Sequence, residues 1–149
     1  MTAGYSATPL AQKLNLKHGM RVWWDGVPDS VSGEIEAGLD EQGAAIVLLD
    51  APQAPIDAAH IFVTGRGELE AKLHQLMPLL APAGMIWVSW PKKSSRVPTD
   101  ITEDVIREIC LPMGLVDVKV CAVDATWSGL KLVVRRQNRD VRPQPAGPA

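Results

Sequence analysis

The chain has 149 residues, 46% of them apolar and 21% charged, with a formal net charge of -2. That length suits one domain with a real core. The near-neutral charge excludes a global field that would draw nucleic acid or an anionic membrane surface. No apolar run is long enough to span a bilayer. The opening residues, MTAGYSATPL, lack the charged start and apolar core of a signal peptide, so a cytoplasmic location is expected.

Taken in order, SATPLAQKLNLKHG reads as a short helix, with Thr8 as cap, Pro9 at the first helical position and Gly19 closing it. MRVWW follows as a strand and stops at DGVPD, which is turn chemistry. DSVSGEIEAGL is a weak helix interrupted by glycine. AAIVLLD is an apolar run ended by Asp50 and Pro52, and it predicts a strand buried on both faces. IDAAHIFVT predicts another.

In TGRGELEAKLHQLMPLL, Leu69, Leu73, Leu76, Met77 and Leu80 fall at helical spacing. Glu68 and Glu70 lie in the first turn, where the helix dipole favours them, and Pro78 bends or ends the last turn. APAG reads as a helix stop, and MIWVSW as the next strand. Asp100 and Glu103 have capping-box spacing and predict the start of a helix whose apolar stripe is Val105, Ile106, Ile109 and Met113, ended by Gly114. LVDVKVCAV and LKLVVRR flank the turn DATWSG and predict an antiparallel hairpin.

Strands alternate with helices and a hairpin closes the chain. This is the pattern of a three-layer α/β domain with a mostly parallel, Rossmann-like sheet. A single domain is expected over residues 1–136, followed by a disordered proline-rich tail over 137–149. Ligands of such sheets sit beyond the carboxyl ends of the strands, near the point where strand order reverses.

The stretches LNLKHGMRVWWDG and LAPAGMIWV resemble the cofactor-strand entry and a later strand entry of S-adenosylmethionine-dependent methyltransferases. That resemblance implies a methyltransferase-like fold. The departures are specific. Trp24 stands about where those enzymes place an acid. Gly26 is kept, but Val27, Pro28, Asp29 and Ser30 replace the rest of the glycine-rich loop. A proline and bulky side chains hinder close approach of backbone to a cofactor. Asp50 stands where the enzymes often hold ribose hydroxyls. The interval from Asp50 to Asp57 is too short for a helix and a strand, so one βα unit is missing.

The stretches YSATPLAQKL, FVTGRGELE, WVSWPKKSS, TDITEDVIRE and GLVDVKVCAVDATWSGLKLVVRR resemble a small bacterial family known only as a domain of unknown function. The resemblance implies a methyltransferase-like fold with a degenerate cofactor loop. It transfers no catalytic residue.

If the strands MRVWW, IDAAHIFVT and MIWVSW are neighbours, the loops after them converge. Those loops hold Trp24, Asp25 and Gly26; then Thr64 and Arg66; then Trp90, Lys92, Lys93, Ser94, Ser95 and Arg96. The cations, hydroxyls and free N–H groups of the helix starting near Glu68 predict an anion-binding edge. Trp24 and Trp90 are candidates to stack a ring there. Trp127 is expected to pin the hairpin to the sheet. Asp25 and Asp29 are expected to form the turn itself.

His18, His60 and His74 have no metal-ligand partner at helical or turn spacing, and His60 is expected to be a satisfied, partly buried side chain. Cys110 and Cys121 make no metal motif and are expected to be packed, reduced thiols. GRG lacks the lysine and hydroxyl of a P-loop. No catalytic residue, metal or cofactor is assigned. The expectation is a non-catalytic ligand-binding, regulatory or interaction protein; the alternative is a divergent methyltransferase or other group-transfer enzyme. Expected partners are an anionic small molecule or nucleotide, rather than nucleic acid or membrane, and a second copy through the hairpin edge.

Overall fold

The computed structural model describes residues 8–135. The expected disorder of 137–149 lies outside the described residues. Within these residues six strands form one sheet: β1 (Arg21–Asp25), β2 (Val47–Leu48), β3 (Ile56–Phe62), β4 (Leu80–Pro91), β5 (Leu115–Ala122) and β6 (Trp127–Val134), in the order β2-β1-β3-β4-β6-β5. The first four are mutually parallel; β6 runs antiparallel to both β4 and β5.

Among the described residues four α-helices cover the sheet: α1 (Leu10–Lys13), α2 (Asp29–Glu41), α3 (Arg66–Leu76) and α4 (Glu103–Met113). Period-two alternation in β4 divides the core. Ile86, Val88 and Trp90 point to the side where Leu69, Leu73 and Leu76 of α3 meet Ile106 and Ile109 of α4. Met85 and Trp87 point to the other side, under Leu10 and Leu14 near α1 and Val31, Ile35 and Leu39 of α2. The fold is the expected three-layer α/β arrangement with a terminal antiparallel hairpin.

Four local readings are corrected. AAIVLLD is not a strand buried on both faces. Only Val47 and Leu48 pair, at the sheet edge, and they are 48% and 47% exposed. The run is apolar enough for an interior strand, but the segment after it turns straight into β3, leaving no unit to cover β2. The second concerns Pro9, which is the N-cap of α1 rather than its first helical residue; Thr8, the expected cap, lies one residue earlier. Third, APAG belongs to β4, in an irregular start where the register against β3 shifts between Ile56 and Ala58. Gly84 is required there, because a Cβ would lie 2.7 Å from the Ile56 carbonyl oxygen.

The fourth is the capping box. Thr102 is the N-cap of α4, and its Oγ1 accepts from the Val105 N–H at 3.2 Å. Gly114, with φ of 95°, ends that helix as expected. Pro78 falls in the single 3₁₀ turn that finishes α3.

The hairpin is fastened to the opposite end of the chain. Lys119 Nζ donates to the Lys13 carbonyl at 2.8 Å, and Lys131 Nζ to Asn15 Oδ1 at 3.1 Å. Both cations thus sit at the C-terminal end of α1, the negative end of its dipole. Trp87 Nε1 donates to the Leu14 carbonyl at 3.0 Å from within the core. Its ring lies close to Gly129, where an added Cβ would be tightly placed, 3.1 Å from Val123 Cγ2 and 3.3 Å from the indole. No helix among the described residues is long and apolar enough to cross a membrane.

Candidate functional site

The chain winds from β1 outward to β2, then crosses back to β3 on the other side of β1. The reversal lies between β1 and β3, and their carboxyl ends form the crevice where this architecture holds ligands. The loops after β1, β3 and β4 converge at that edge, as the sequence implied.

The first loop is short and filled. Only Gly26, Val27 and Pro28 separate β1 from α2. Gly26 has φ of +77°, and a Cβ there would lie 3.4 Å from the Phe62 carbonyl oxygen, so the turn rests on the end of β3. The Asp25 carboxylate reaches Lys72 Nζ on α3 at 3.0 Å, and Lys72 also meets Glu68 at 3.3 Å. Burial works against the Lys72 ammonium, but the hydrogen bond and charge of Asp25, followed by those of Glu68, outweigh it and hold its pKa above the ordinary value. Asp25 is therefore an ion-pair partner at the end of β1, and Asp29 opens α2, so the expectation that these two aspartates form the turn is corrected: Gly26, Val27 and Pro28 form it.

The second loop corrects the expectation of a free helix N-terminus. Asp100 Oδ1 accepts from the Arg66 N–H at 2.7 Å, which places a carboxylate where the sequence suggested room for an anionic ligand. The Thr64 carbonyl accepts from Thr99 Oγ1 at 2.6 Å, and the Thr64 N–H points to Glu68 Oε1 at 3.4 Å. The Arg66 guanidinium donates to Glu108 of α4 at 2.9 Å, a bond that raises its pKa. Arg66 and Thr64 thus tie α3 to the approach of α4.

The third loop keeps its cations. Lys92 starts a tight turn: Ser95 Oγ donates to the Lys92 carbonyl at 2.7 Å and accepts from the Val97 N–H at 3.2 Å. The Lys92 N–H is held by the Thr126 carbonyl at 2.8 Å, which anchors the turn to the β5–β6 connection. Ser95 is therefore a builder of the turn. Among the described residues, no carboxylate pairs with the side chains of Lys92, Lys93 or Arg96. Lys93, Ser94 and Arg96 are exposed. Arg96 adopts φ of 62°, the left-handed region that closes the turn. Lys93 of this turn borders a cavity of about 280 Å³, bounded also by Trp90, Pro91 and Ile101 and by Thr99, Thr102 and Glu103.

The predicted residues do not form one constellation. Trp90 lies on the α3–α4 face of the sheet, and Trp24 on the α1–α2 face, so the two cannot flank one ligand. Trp127 takes the expected pinning place, its ring T-shaped against Phe62 with centroids 5.0 Å apart. The sequence reading did not find Lys72 as the partner of Asp25, Glu108 as the partner of Arg66, or Asp100 as the acceptor at the start of α3. Lys72 at four residues from Glu68 was the one local signal; the other contacts span 34 residues or more.

A serine–histidine pair does exist in the core. His60 Nε2 and Ser89 Oγ are 2.7 Å apart, and His60 stacks on Phe62 with centroids 4.7 Å apart. The side chains have the spacing of a nucleophile and base, but His60 is 3% exposed and Ser89 0%, so substrate has no access. Burial pushes the His60 pKa down to about 3, leaving it neutral. Burial, then the Asp117 charge, pushes the Cys110 thiol up to about 11. Burial also raises Cys121. Neither thiol carries thiolate character at neutral pH.

The architecture is shared with enzymes of low sequence identity. A crystal structure of a SAM-dependent methyltransferase from Aquifex aeolicus is 15% identical with a TM-score of 0.56, over 87% of this chain and 94% of that one. The CcbJ methyltransferase of Streptomyces caelestis gives 10% and 0.56, over 87% and 88%. A ribosomal protein L11 methylase from Lactobacillus delbrueckii subsp. bulgaricus gives 12% and 0.52, over 85% and 76%. At these identities the likeness is one of fold. No curated protein matches the chain. The model of the DUF3052 family, described as a protein of unknown function, matches residues 11–136, and the chain belongs to that family.

Proposed function

We propose that this protein is a non-catalytic binding domain that uses a methyltransferase-like scaffold to take an anionic small molecule at the loop after β4. One observation carries the reading: Lys92, Lys93 and Arg96 stand without carboxylate partners among the described residues, and Lys93 borders a cavity at the carboxyl edge of the sheet. Neighbouring Arg66 is neutralised by Glu108, and Asp25 by Lys72. The shortened β1–α2 turn, seated on Phe62, leaves no glycine-rich cradle for S-adenosylmethionine.

A group-transfer enzyme is the second reading, favoured by the fold shared with methyltransferases. Calorimetry separates the two. The first reading expects no submillimolar binding of S-adenosylmethionine or S-adenosylhomocysteine, and measurable binding of inorganic phosphate that is lost in the triple variant Lys92→Ala, Lys93→Ala, Arg96→Ala. Submillimolar S-adenosylmethionine binding would establish the second reading instead.

A further inference from the structure

Resting on the anion reading of the β4–α4 loop, we infer that its ligand carries a planar apolar ring as well as a negative group, in the manner of an aryl phosphate or a nucleotide. The ring enters the cavity beside Trp90, and the anion remains at Lys93.

The cavity has two chemically different sides. Trp90, Pro91 and Ile101 supply an apolar wall, and Trp90 is 8% exposed. At about 280 Å³ the space is far larger than a water molecule needs and comparable with a six-membered or fused ring system. Inorganic phosphate alone would leave this wall against water. A ring placed there removes apolar surface from water, and an indole is a favourable neighbour for it.

The polar side selects the sign of the second group. Lys93 borders the cavity directly and has no acidic partner among the described residues. The other charged group at the rim, Glu103, is already engaged: Arg107 meets its carboxylate at 2.7 Å. Arg107 also binds Asp104 at 3.1 Å and Asp117 at 3.0 Å, so it is committed to fastening α4 onto β5. One guanidinium shared by three carboxylates does not make this side of the cavity positive; the group at the mouth that stands without an opposite charge among the described residues is the Lys93 ammonium. Thr102 Oγ1 accepts from the Val105 N–H in capping α4, a bond that leaves its hydroxyl proton unused.

This position differs from the methyltransferase-like crevice. It lies after β4, on the α3–α4 side, whereas the altered cofactor turn follows β1. The ligand would contact the lip of the sheet without needing the β1 loop.

The test compares inorganic phosphate, phenyl phosphate and phenol by calorimetry on the full chain, with tryptophan fluorescence in parallel. Phenyl phosphate should bind about tenfold or more tightly than phosphate, as expected from burial of a ring. Phenol should bind more weakly than phenyl phosphate. Phenyl phosphate should change the fluorescence of the native chain but not that of Trp90→Phe, which retains an aromatic wall and avoids the cavity that alanine would leave in the core. Lys93→Ala should lose the advantage of phenyl phosphate over phenol, and Lys93→Arg should restore it. Equal binding of phosphate and phenyl phosphate would leave the anion site standing and overturn the ring. Phenol binding as tightly as phenyl phosphate would overturn the anionic group. No binding of phosphate or phenyl phosphate would overturn both the site and this inference.

Discussion

Asp100 and Arg66 are joined by a 2.7 Å hydrogen bond from the main-chain N–H of Arg66 to the Asp100 carboxylate. The start of α3 is thus capped by a residue from the approach to α4. A carboxylate at a helix N-terminus satisfies an orphan donor and meets the positive end of the dipole. Asp100→Ala should cost about 1 kcal/mol. Urea denaturation measures the loss, and hydrogen exchange at the Arg66 amide should quicken. An unchanged amide would show that the cap contributes nothing in solution.

Lys72 and Asp25 form a second bond between elements distant in sequence, with side chains 22% and 32% exposed. Because the pair is only partly shielded, Lys72→Met should cost roughly 0.5–1 kcal/mol. A double-mutant cycle with Asp25→Asn should return coupling of similar size. Zero coupling would assign the loss to the packing of the lysine stem.

His60 makes stability depend on acid. Burial holds its folded pKa near 3, against 6.5 for the free side chain. Between those values the unfolded chain binds a proton that the folded chain refuses. The contribution is therefore complete above pH 6.5 and is lost as pH falls toward 3, at up to about 1.4 kcal/mol per pH unit. His60→Gln, which can still bond Ser89, should flatten the decline seen by urea denaturation between pH 7 and 4. Parallel slopes for the two proteins would refute this.

Two glycines should respond oppositely to alanine. At Gly84 a Cβ would meet the Ile56 carbonyl oxygen at 2.7 Å, so the backbone must move, at a cost of about 1–3 kcal/mol. Gly33 lies exposed inside α2 with nothing within 4 Å of an added Cβ. Gly33→Ala should stabilise by about 0.5–1 kcal/mol. Thermal melts of both variants check the signs.

Periodic patterns were legible in the sequence. The leucines of α3 and the stripe of α4 reported which faces are buried, and the short interval before Asp57 revealed the missing βα unit. The same patterns misled at β2, because an apolar run reports affinity for a core and cannot report whether a neighbour arrives to cover it. The edge location of the basic loop was also legible. Its charge balance was not, since Glu108 and Asp100 neutralise or cap Arg66 from more than thirty residues away. Local capping chemistry gave the right region for α4 but the wrong residue. Thr102 had its own hydroxyl to offer, and Asp100 was drawn across to α3.

The position of β6 between β4 and β5 bears on how this protein is made. β6 is the last strand of the described chain, yet it occupies the interior of the sheet, and β5 has no other partner strand. While the ribosome has released only the residues through Ala122, β5 has nothing to pair with and the flank of β4 stands open. Docking of Lys119 and Lys131 against the end of α1 must wait as well. Long-range closure of this kind favours completion late in synthesis, so nascent chains stalled just before Trp127 should be far more sensitive to protease than chains in which β6 has emerged.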